Sequence, residues 1–322
     1  MTSKQFLAFF SIGLAAAAAV IVPFNMHEDV YGLFRTARGR RLSIYGEERV
    51  AKYLHSFRYI PENFDGVLLG SSVTDNFDTR RFPGYRIYNA SIDGGNVEDL
   101  TPIADNVFRR GALKLTILCI HRYLTNDHVQ RTSFMTPKQY WGALVSPQLI
   151  TAYVSRLAIR SGVVRGEYDE WGARHYASEP DSATVRRTIE KTVAEIRRGA
   201  ASVGNYHIDP AALSELGRVI AEARRGSRRL VIFYPPTPAP VLAVCSADYA
   251  RYRQAINAAV RASDILVDFN APSYAAVRAD FGNFTDAVHL SDAGARLVLA
   301  ELGRVVQAAE AADTTAADAS VR

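Results

Sequence analysis

The sequence has little cysteine and no concentrated charge, and both features exclude classes of protein. Cys119 and Cys245 are the only two cysteines in 322 residues, and their spacing matches neither a zinc site nor a redox motif. The net charge of +5 is spread along the chain, with no basic block beyond ARGRR at 37–41. We therefore expect neither a metal site nor a nucleic-acid partner. With 48% hydrophobic residues, the composition is that of a globular protein with one large domain or two small ones.

The N-terminus contains a long uncharged run. Phe6 to Phe24 is 19 residues without a charge, just long enough to cross a bilayer as a helix. A cleaved signal peptide is the alternative, because the alanine run could supply a cleavage site. Apolar residues continue through VIVPF after the alanines, so we favour an uncleaved anchor over residues 1–25. Four arginines between positions 35 and 41 would hold the next domain in the cytoplasm by the positive-inside rule, although long domains can translocate regardless.

After a connector at 26–60, which we expect to be helical, short apolar runs alternate with amphipathic runs of helical length. The apolar runs are rich in Val, Ile and Leu and mostly do not alternate with polar residues, which is typical of strands buried on both faces of a parallel sheet. The predicted strands are Val67–Leu69, Tyr85–Asn89, Leu115–Ile120, Leu230–Tyr234 and Ile265–Phe269. Asn96 should cap one helix, and Asp209 another with Pro210 at its first position. This alternation predicts an α/β fold, a three-layer α/β/α sandwich around a parallel sheet.

Two segments do not fit the alternation. Residues 130–205 contain a Trp-, Gly- and Tyr-rich loop and a charged helix from about Ala183 to Arg198. We interpret them as a helical insertion over the sheet, either a lid or an ordinary structural excursion. Residues 309–322 have almost no large apolar side chains, which predicts a disordered tail. The globular domain would then span 61–308.

Two segments carry residues that could act together as a nucleophile and its base. In GVLLGSSVTDNF at 66–77, Gly70 allows a sharp turn after a buried strand and Ser72 begins the next segment. In FTDAVHLSD from 284, Asp286 and His289 lie three positions apart before a helix that Ser291 could cap. A serine hydroxyl becomes a nucleophile when a histidine takes its proton and a carboxylate orients that histidine. Each segment alone is more simply explained as a polar turn.

A third segment, YNASIDGGN at 88–96, follows the second predicted strand. A backbone amide at such a strand-to-helix turn, here near Gly94, can point at a developing oxyanion. The alternative is a loop shaped only by the conformational freedom of glycine. The carboxyl edge of the sheet, formed by the C-terminal ends of the strands, is where α/β proteins place their sites, and all three segments are predicted to lie there.

Taken in this order, the three segments resemble the SGNH, or GDSL-type, hydrolase superfamily. The resemblance covers about residues 62–306 and leaves the insertion unexplained. It implies that the family's serine falls on Ser72, with Ser71 as the neighbouring substitute, and that its oxyanion glycine falls on Gly94. The catalytic acid and base would be Asp286 and His289. A flavodoxin-like sheet and a mechanism without cofactor or metal are also implied.

One block departs from the family pattern. The family usually has Gly-x-Asn-Asp after the third strand, and its asparagine completes the oxyanion hole. This chain reads ILCIHRYLTND, so that Asn126 lies about six residues beyond the predicted strand end at Ile120. We assign Asn126 as the third donor, with His121 and Arg122 as nearer alternatives. Loss of this donor would cost about 2.7–4 kcal/mol of transition-state stabilisation.

The N-terminal run adds a second resemblance, to the membrane-anchored SGNH-like proteins of bacterial envelopes, whose relatives transfer acyl groups to cell-surface polymers. It implies a single-pass inner-membrane serine esterase or O-acyltransferase with a periplasmic or extracellular domain, acting on an acyl ester, foremost acetyl, of an envelope polysaccharide. The implied partners are that substrate, the membrane and a membrane acyltransferase. A non-catalytic carbohydrate- or partner-binding module is the alternative. A nucleotide-binding domain is disfavoured because the chain lacks Gly-x-Gly-x-x-Gly and a Walker lysine.

Overall fold

A computed structural model describes residues 2–110, 113–129 and 135–320 of the chain. Its centre is a five-stranded, all-parallel sheet with the order β2-β1-β3-β4-β5. The strands are β1 Gly66–Leu69, β2 Ile87–Asn89, β3 Leu113–Cys119, β4 Ser227–Tyr234 and β5 Ile265–Asp268. This is the strand order of flavodoxin-like sheets, and the predicted α/β fold is confirmed.

Helices cover both faces of the sheet. In the described part of the chain they are α1 Ser3–Glu28, α2 Glu48–His55, α3 Tyr59–Asn63, α4 Val97–Arg110, α5 Pro137–Gly142, α6 Pro147–Arg160, α7 Ser182–Arg197, α8 Pro210–Gly226, α9 Ala239–Asn257, α10 Ala275–Ala279 and α11 Asp292–Ser320. Val67 and Leu69 of β1 pack in the apolar core with α4 and α8, whereas Leu68 packs in the core with α7 and α11. Because both faces are covered, the strands read as continuous apolar runs.

The predicted helix starts are confirmed. The Asp209 carboxylate accepts hydrogen bonds from the amides of the second and third residues of α8, and Pro210 is its first residue. Asn96 accepts from the amide of Asp99 at the start of α4. The Ser291 hydroxyl accepts from the amide of Gly294 at the start of α11. These caps satisfy amides that the first helical turn leaves unpaired, and those of α4 and α11 begin two helices at the carboxyl edge.

The segment 26–60 differs from the helical connector that the sequence predicts. Its first residues complete α1, and helix returns only with α2 and α3. Between them Asp29 adopts a left-handed conformation with φ 43°, and its carboxylate accepts from the amides of Leu33 at 2.6 Å and Arg35 at 3.0 Å. Leu33 and Leu42 are buried in the core with α2. The segment is therefore part of the globular domain.

The insertion and the tail also differ in part from expectation. Val185, Ile189 and Val193 of α7 are buried in the same core as α11, so this part of the insertion completes one layer of the sandwich. α11 continues to Ser320, across most of the segment predicted to be disordered. Its end is rich in alanine, the strongest helix former, which favours helix without tertiary contacts. Residues 130–134 of the insertion and 321–322 of the tail lie outside the described residues.

Candidate active site

Ser72 lies just beyond the carboxyl end of β1, at the first residue of a short 3-10 turn. The turn is tight: a Cβ atom on Gly70 would lie 2.3 Å from the Thr74 hydroxyl oxygen and 3.1 Å from Cys119 Cβ. Only glycine fits at this position. Ser71 forms a β-bridge with Ile92, and its buried hydroxyl has no partner among the described residues. Ser72, by contrast, presents its hydroxyl to the site.

The predicted acid and base lie on one short turn before α11. Phe284 and Leu290 form an antiparallel bridge, and the Thr285 amide donates to the His289 carbonyl at 2.9 Å. His289 Nε2 lies 3.0 Å from Ser72 Oγ, and His289 Nδ1 lies 2.8 Å from Asp286 Oδ2. The structure therefore brings Ser72, His289 and Asp286 into one hydrogen-bonded chain, across 217 positions of sequence.

The electrostatics of this chain suit a base that takes a proton. Burial alone would lower the pKa of His289, but the hydrogen bond and charge of Asp286 outweigh it and raise that pKa above its usual value. Burial alone would raise the pKa of Asp286. The His289 hydrogen bond and charge, with amides of Val288 and His289 donating to Oδ1 at 2.6 and 2.7 Å, hold it below its usual value. Asp286 is thus an anion that can stabilise an imidazolium.

Two buried asparagines hold these turns in register. The Asn89 side chain, at the end of β2, donates to the carbonyls of Thr74 at 2.7 Å and Asp75 at 3.1 Å, in the turn that follows Ser72. The Asn76 side chain donates to the Leu290 carbonyl at 3.0 Å. Asn76 therefore links the nucleophile turn directly to the histidine turn. Sequence reasoning missed both roles, because an asparagine beside a strand or in a turn carries no distinct signal.

The loop with Gly94 lies beside the nucleophile turn. The Ile92 amide donates to the Gly70 carbonyl at 3.0 Å, and Gly94 has φ +60°, a left-handed conformation that favours glycine. The charge of Asp93, the residue before Gly94, contributes to the raised pKa of His289. The structure thus places Gly94 at the predicted edge; its role as an oxyanion donor stays a prediction.

The segment ILCIHRYLTND at 117–127, which departs from the family pattern after the third strand, also lies at this edge. We call it the third block. Asp127, next to Asn126, accepts a hydrogen bond from the Asn96 side chain at 2.5 Å, which connects the block to the Gly94 loop. Asn126 Oδ1 is buried without a hydrogen-bond partner within the described ranges. The assignment of Asn126 as the third donor stays a prediction.

His121 and Arg122 are both buried directly after β3. Burial, then the charges of Arg122 and His289, hold the pKa of His121 well below its usual value, so this imidazole is neutral. Arg122 Nη1 donates to His121 Nε2 at 3.1 Å, and its Nε and Nη2 have no hydrogen-bond partner in the described part of the chain. The positive charge of Arg122 lowers the pKa of His289. The block that departs from the family pattern therefore brings a buried cation close to the site.

Residues 174–179 of the insertion form one wall of the candidate site. The Arg174 amide donates to the Asp75 carbonyl at 2.8 Å, and its guanidinium pairs with Asp93 at 3.0 Å, next to Gly94. Five residues later, Glu179 Oε1 accepts from the Asp292 amide at 2.5 Å, at the start of α11. The stretch 174–179 thus contacts all three predicted site segments. This part of the insertion therefore lies beside the candidate site, and its role as a lid stays a prediction.

A buried lysine that sequence reasoning missed forms hydrogen bonds to two of the site segments, 66–77 and 88–96. Lys52 of α2 is fully buried; its ammonium donates to Asp75 at 2.9 Å, Glu48 at 2.8 Å and the Ser91 carbonyl at 2.5 Å. Burial alone would lower the Lys52 pKa, but the charges of Asp75 and Glu48 outweigh it and raise that pKa. Burial raises the pKa of Asp75, and the charge of the Lys52 ammonium at 2.9 Å opposes this rise. Lys52 thus joins the Ser72 turn to the Gly94 loop.

The two cysteines take no part in the hydrogen bonds between Ser72, His289 and Asp286. Cys119 and Cys245 are both free and buried. Burial raises the pKa of each thiol, so neither is a ready nucleophile. Within residues 2–110, 113–129 and 135–320, His, Cys, Asp and Glu form no group that could hold a metal ion.

Comparison with known proteins yields little. No family model and no curated protein matches the chain. Among solved structures, the chain is similar to a protein described as "a putative platelet activating factor from Streptococcus pneumonia", at 13% sequence identity and a TM-score of 0.42. The similarity covers 80% of this chain and 90% of that one.

Proposed function

We propose that this protein is a membrane-anchored serine esterase or O-acyltransferase of the SGNH type. The observation that carries the proposal is the hydrogen-bonded chain from Ser72 through His289 to Asp286 at the carboxyl edge of the sheet. A serine hydroxyl on a tight glycine turn, a histidine with a raised pKa and an ionised carboxylate together form the arrangement that activates a serine.

In the first half of the reaction, Ser72 Oγ attacks the carbonyl carbon of the ester while His289 Nε2 takes the hydroxyl proton. Asp286 stabilises the imidazolium through Nδ1. When the tetrahedral intermediate collapses, the carbon–oxygen bond to the leaving alcohol breaks and His289 gives its proton to that alcohol. The acyl group remains as an ester on Ser72.

In the second half, a water or a sugar hydroxyl loses its proton to His289 and attacks the acyl carbon. The bond to Ser72 Oγ then breaks, and the serine recovers its proton from the imidazolium. Water as acceptor gives hydrolysis and a sugar hydroxyl gives transfer.

The negative charge on the carbonyl oxygen needs donors at each tetrahedral step. We assign this role to the backbone amides of Ser72 and Gly94 and to the side chain of Asn126. Arg122 adds a buried positive charge nearby. Electrostatic stabilisation of this kind is largest where water is excluded, as it is around buried groups.

Membrane anchoring is supported by the N-terminal helix. α1 has the length and apolar composition to cross a membrane, and it lies near the N-terminus as a signal sequence also would. Its last turn is built into the domain: Asn25 is buried and accepts a hydrogen bond from Tyr153 at 2.8 Å. The apolar run and this buried turn belong to one continuous helix, Ser3–Glu28, so we propose an uncleaved anchor.

For the substrate we propose an acyl ester, foremost acetyl, on a bacterial envelope polysaccharide, with the domain on the outer side of the inner membrane and a membrane acyltransferase as partner. The support is the combination of an anchor with an esterase-type site. Assay of acetylated polysaccharides from bacterial envelopes, with measurement of released acetate against transferred acetate, would test it.

The experiment that tests the catalytic proposal is labelling of the full-length protein with a fluorophosphonate probe, beside hydrolysis of p-nitrophenyl acetate. We expect wild type to react with both and Ser72→Ala and His289→Ala to lose both activities. Ser71→Ala is the matched control, since its hydroxyl is buried away from His289, and we expect it to keep labelling. Labelling that persists in Ser72→Ala and disappears in Ser71→Ala would move the nucleophile to Ser71.

The second candidate is a non-catalytic carbohydrate- or partner-binding module with the same fold. The observation that favours it is the third block, where β3 is followed by His121 and Arg122 in place of the family's asparagine block. A folded wild type that neither labels nor turns over acetate, yet binds an acidic polysaccharide in a manner sensitive to Arg122→Gln, would support this candidate.

A further inference from the structure

Exposed apolar side chains concentrate in one part of the insertion. Outside α1, ten large hydrophobic side chains in the described part of the chain are exposed, and seven of them lie between residues 141 and 164. We call these seven the α6 patch. They are Trp141, Val145, Ile150, Val154, Leu157, Val163 and Val164. Exposed apolar clusters of this kind mark interaction sites in soluble domains.

The α6 patch lies on and beside a helix with two different faces. Ile150, Val154 and Leu157 follow one another at four and three positions, so they share one face of α6, and they are 62–70% exposed. Leu149 and Ala152 lie on another face and are buried in the core. A helix in contact with water would carry polar residues on its outer face, so this outer face is built for an apolar partner.

The end of α1 packs against the same helix. Tyr153 OH donates to Asn25 Oδ1 at 2.8 Å, and Arg156 pairs with Glu28 at 2.8 Å. The rings of Phe24 and Tyr153 lie 5.9 Å apart between centroids, and the Asn25 side chain donates to the Leu144 carbonyl at 2.6 Å. α6 and the turn before it are thus held against the last turn of the proposed anchor.

This packing sets the depth of α6 in the membrane. The uncharged run Phe6–Phe24 spans about 28 Å as a helix at 1.5 Å per residue, close to the thickness of the hydrocarbon core of a bilayer. Asn25 and Glu28 therefore lie in the headgroup region just outside that core. Their partners Tyr153 and Arg156 must lie at the same level, so α6 runs where the anchor leaves the membrane.

We propose that the α6 patch docks on the lipid bilayer, with α6 lying in the headgroup region and its apolar face inserted towards the acyl chains. The inference goes beyond the catalytic proposal and rests only on the anchoring of α1. Continuity with the anchor identifies lipid as the occupant, because the patch begins where the anchor meets the domain. Amphipathic helices of this kind are buried about 5–10 Å into the boundary between headgroups and acyl chains.

The composition around the patch fits this position. Trp141 and Tyr153 are of the residue types that concentrate at membrane–water interfaces. Lys138, Arg160 and Arg165 are exposed beside the apolar face and can reach lipid phosphates. Because the same insertion continues into the site wall at 174–179, docking of α6 would hold the candidate active site at a fixed height above the lipid.

The test uses full-length protein carrying one introduced cysteine, labelled with bimane and reconstituted in vesicles of phosphatidylcholine and phosphatidylglycerol with or without brominated acyl chains. Leu157→Cys reports on the α6 patch and Ile12→Cys on the anchor. Leu297→Cys is the matched control, an exposed apolar position on α11 outside the patch. All three side chains are exposed, so the substitutions leave the core intact, and the native cysteines are buried.

We expect brominated lipid to quench the Leu157→Cys probe several-fold more than the Leu297→Cys probe, and the Ile12→Cys probe at least as strongly. Quenching at position 157 no greater than at 297, while position 12 is quenched, would overturn the docking proposal and leave the anchor in place. Absence of quenching at both 12 and 157 would overturn both. A probe at 157 that is shielded from aqueous iodide but not quenched by lipid would show that protein covers the patch, which also overturns the proposal.

Discussion

The substitution Asp286→Asn tests the proposed chemistry most directly, because it removes a charge and replaces one acceptor oxygen by a donor NH2 group while keeping the shape of the side chain. In the native turn, Asp286 Oδ1 accepts from two backbone amides and Oδ2 accepts from His289 Nδ1. An asparagine can keep its oxygen on the two amides. Its NH2 group then faces Nδ1 as a donor, so the neutral imidazole must place its own proton on Nε2.

That tautomer cannot accept the Ser72 proton, because Nε2 is the atom that faces Ser72 Oγ at 3.0 Å. The imidazolium also loses its counter-charge in the transition state. The same change in a serine triad of known mechanism lowers kcat by about 10⁴-fold. This corresponds to about 5.4 kcal/mol of transition-state free energy. We expect a loss of this size here, with KM for the ester nearly unchanged.

The assay is the kcat and KM of p-nitrophenyl acetate hydrolysis, together with the rate of fluorophosphonate labelling. Asp280→Asn is the control: Asp280 caps the Gly282 amide six residues earlier, and asparagine can keep that bond. Thermal unfolding of both variants should resemble that of wild type. If Asp286→Asn kept its rate within about tenfold, or about 1.4 kcal/mol, of wild type, Asp286 would not orient the base and the reasoning would fail.

Three further predictions follow from the same geometry. Because His289 must be neutral to take a proton and its pKa is raised, kcat/KM should fall as pH drops through a value above the usual histidine pKa, and a pH profile flat from 5 to 8 would contradict this. Lys52→Met should cost about 3–5 kcal/mol of unfolding free energy by leaving Asp75 buried without its counter-charge, as denaturant titration would show; an unchanged midpoint would exclude a charged pair. Gly70→Ala should abolish fluorophosphonate labelling, because the added Cβ has no room in the turn before Ser72. Gly217→Ala, in open space on α8, should keep labelling and stabilise the protein by up to about 1 kcal/mol. Equal labelling of the two variants would refute the close-packed turn.

The fold was largely predictable because β1, β2 and most of β3 and β4 are buried on both faces, so their sequences are local apolar runs. Helix starts were predictable for a similar reason, since the caps at Asn96, Asp209 and Ser291 act on amides only a few residues away. The candidate residues Ser72, Asp286 and His289 stood out because each lies next to a strand end or a helix start. Their local signals were weak one by one, and their order along the chain made them informative.

Only the tertiary structure shows that the hydroxyl of Ser72, and not that of Ser71, lies within hydrogen-bonding distance of a histidine more than two hundred residues away. It also gave the contacts of Lys52, Asn76 and Arg122. A buried lysine and a surface lysine look alike in sequence, because the difference lies in long-range packing.

The sequence by itself determined the helices and strands and their order, since these follow from local periodicity and capping. It also determined which reactive side chains follow the strand ends. The exposed face of α6 illustrates what it could not determine. Ile150, Val154 and Leu157 read as a core-facing stripe of an amphipathic helix, and the sequence does not say which of two apolar faces the core takes. Packing of Leu149 and Ala152 in the core and of Tyr153 and Arg156 against the end of α1 settled that choice, because burial depends on contacts between residues far apart in the chain.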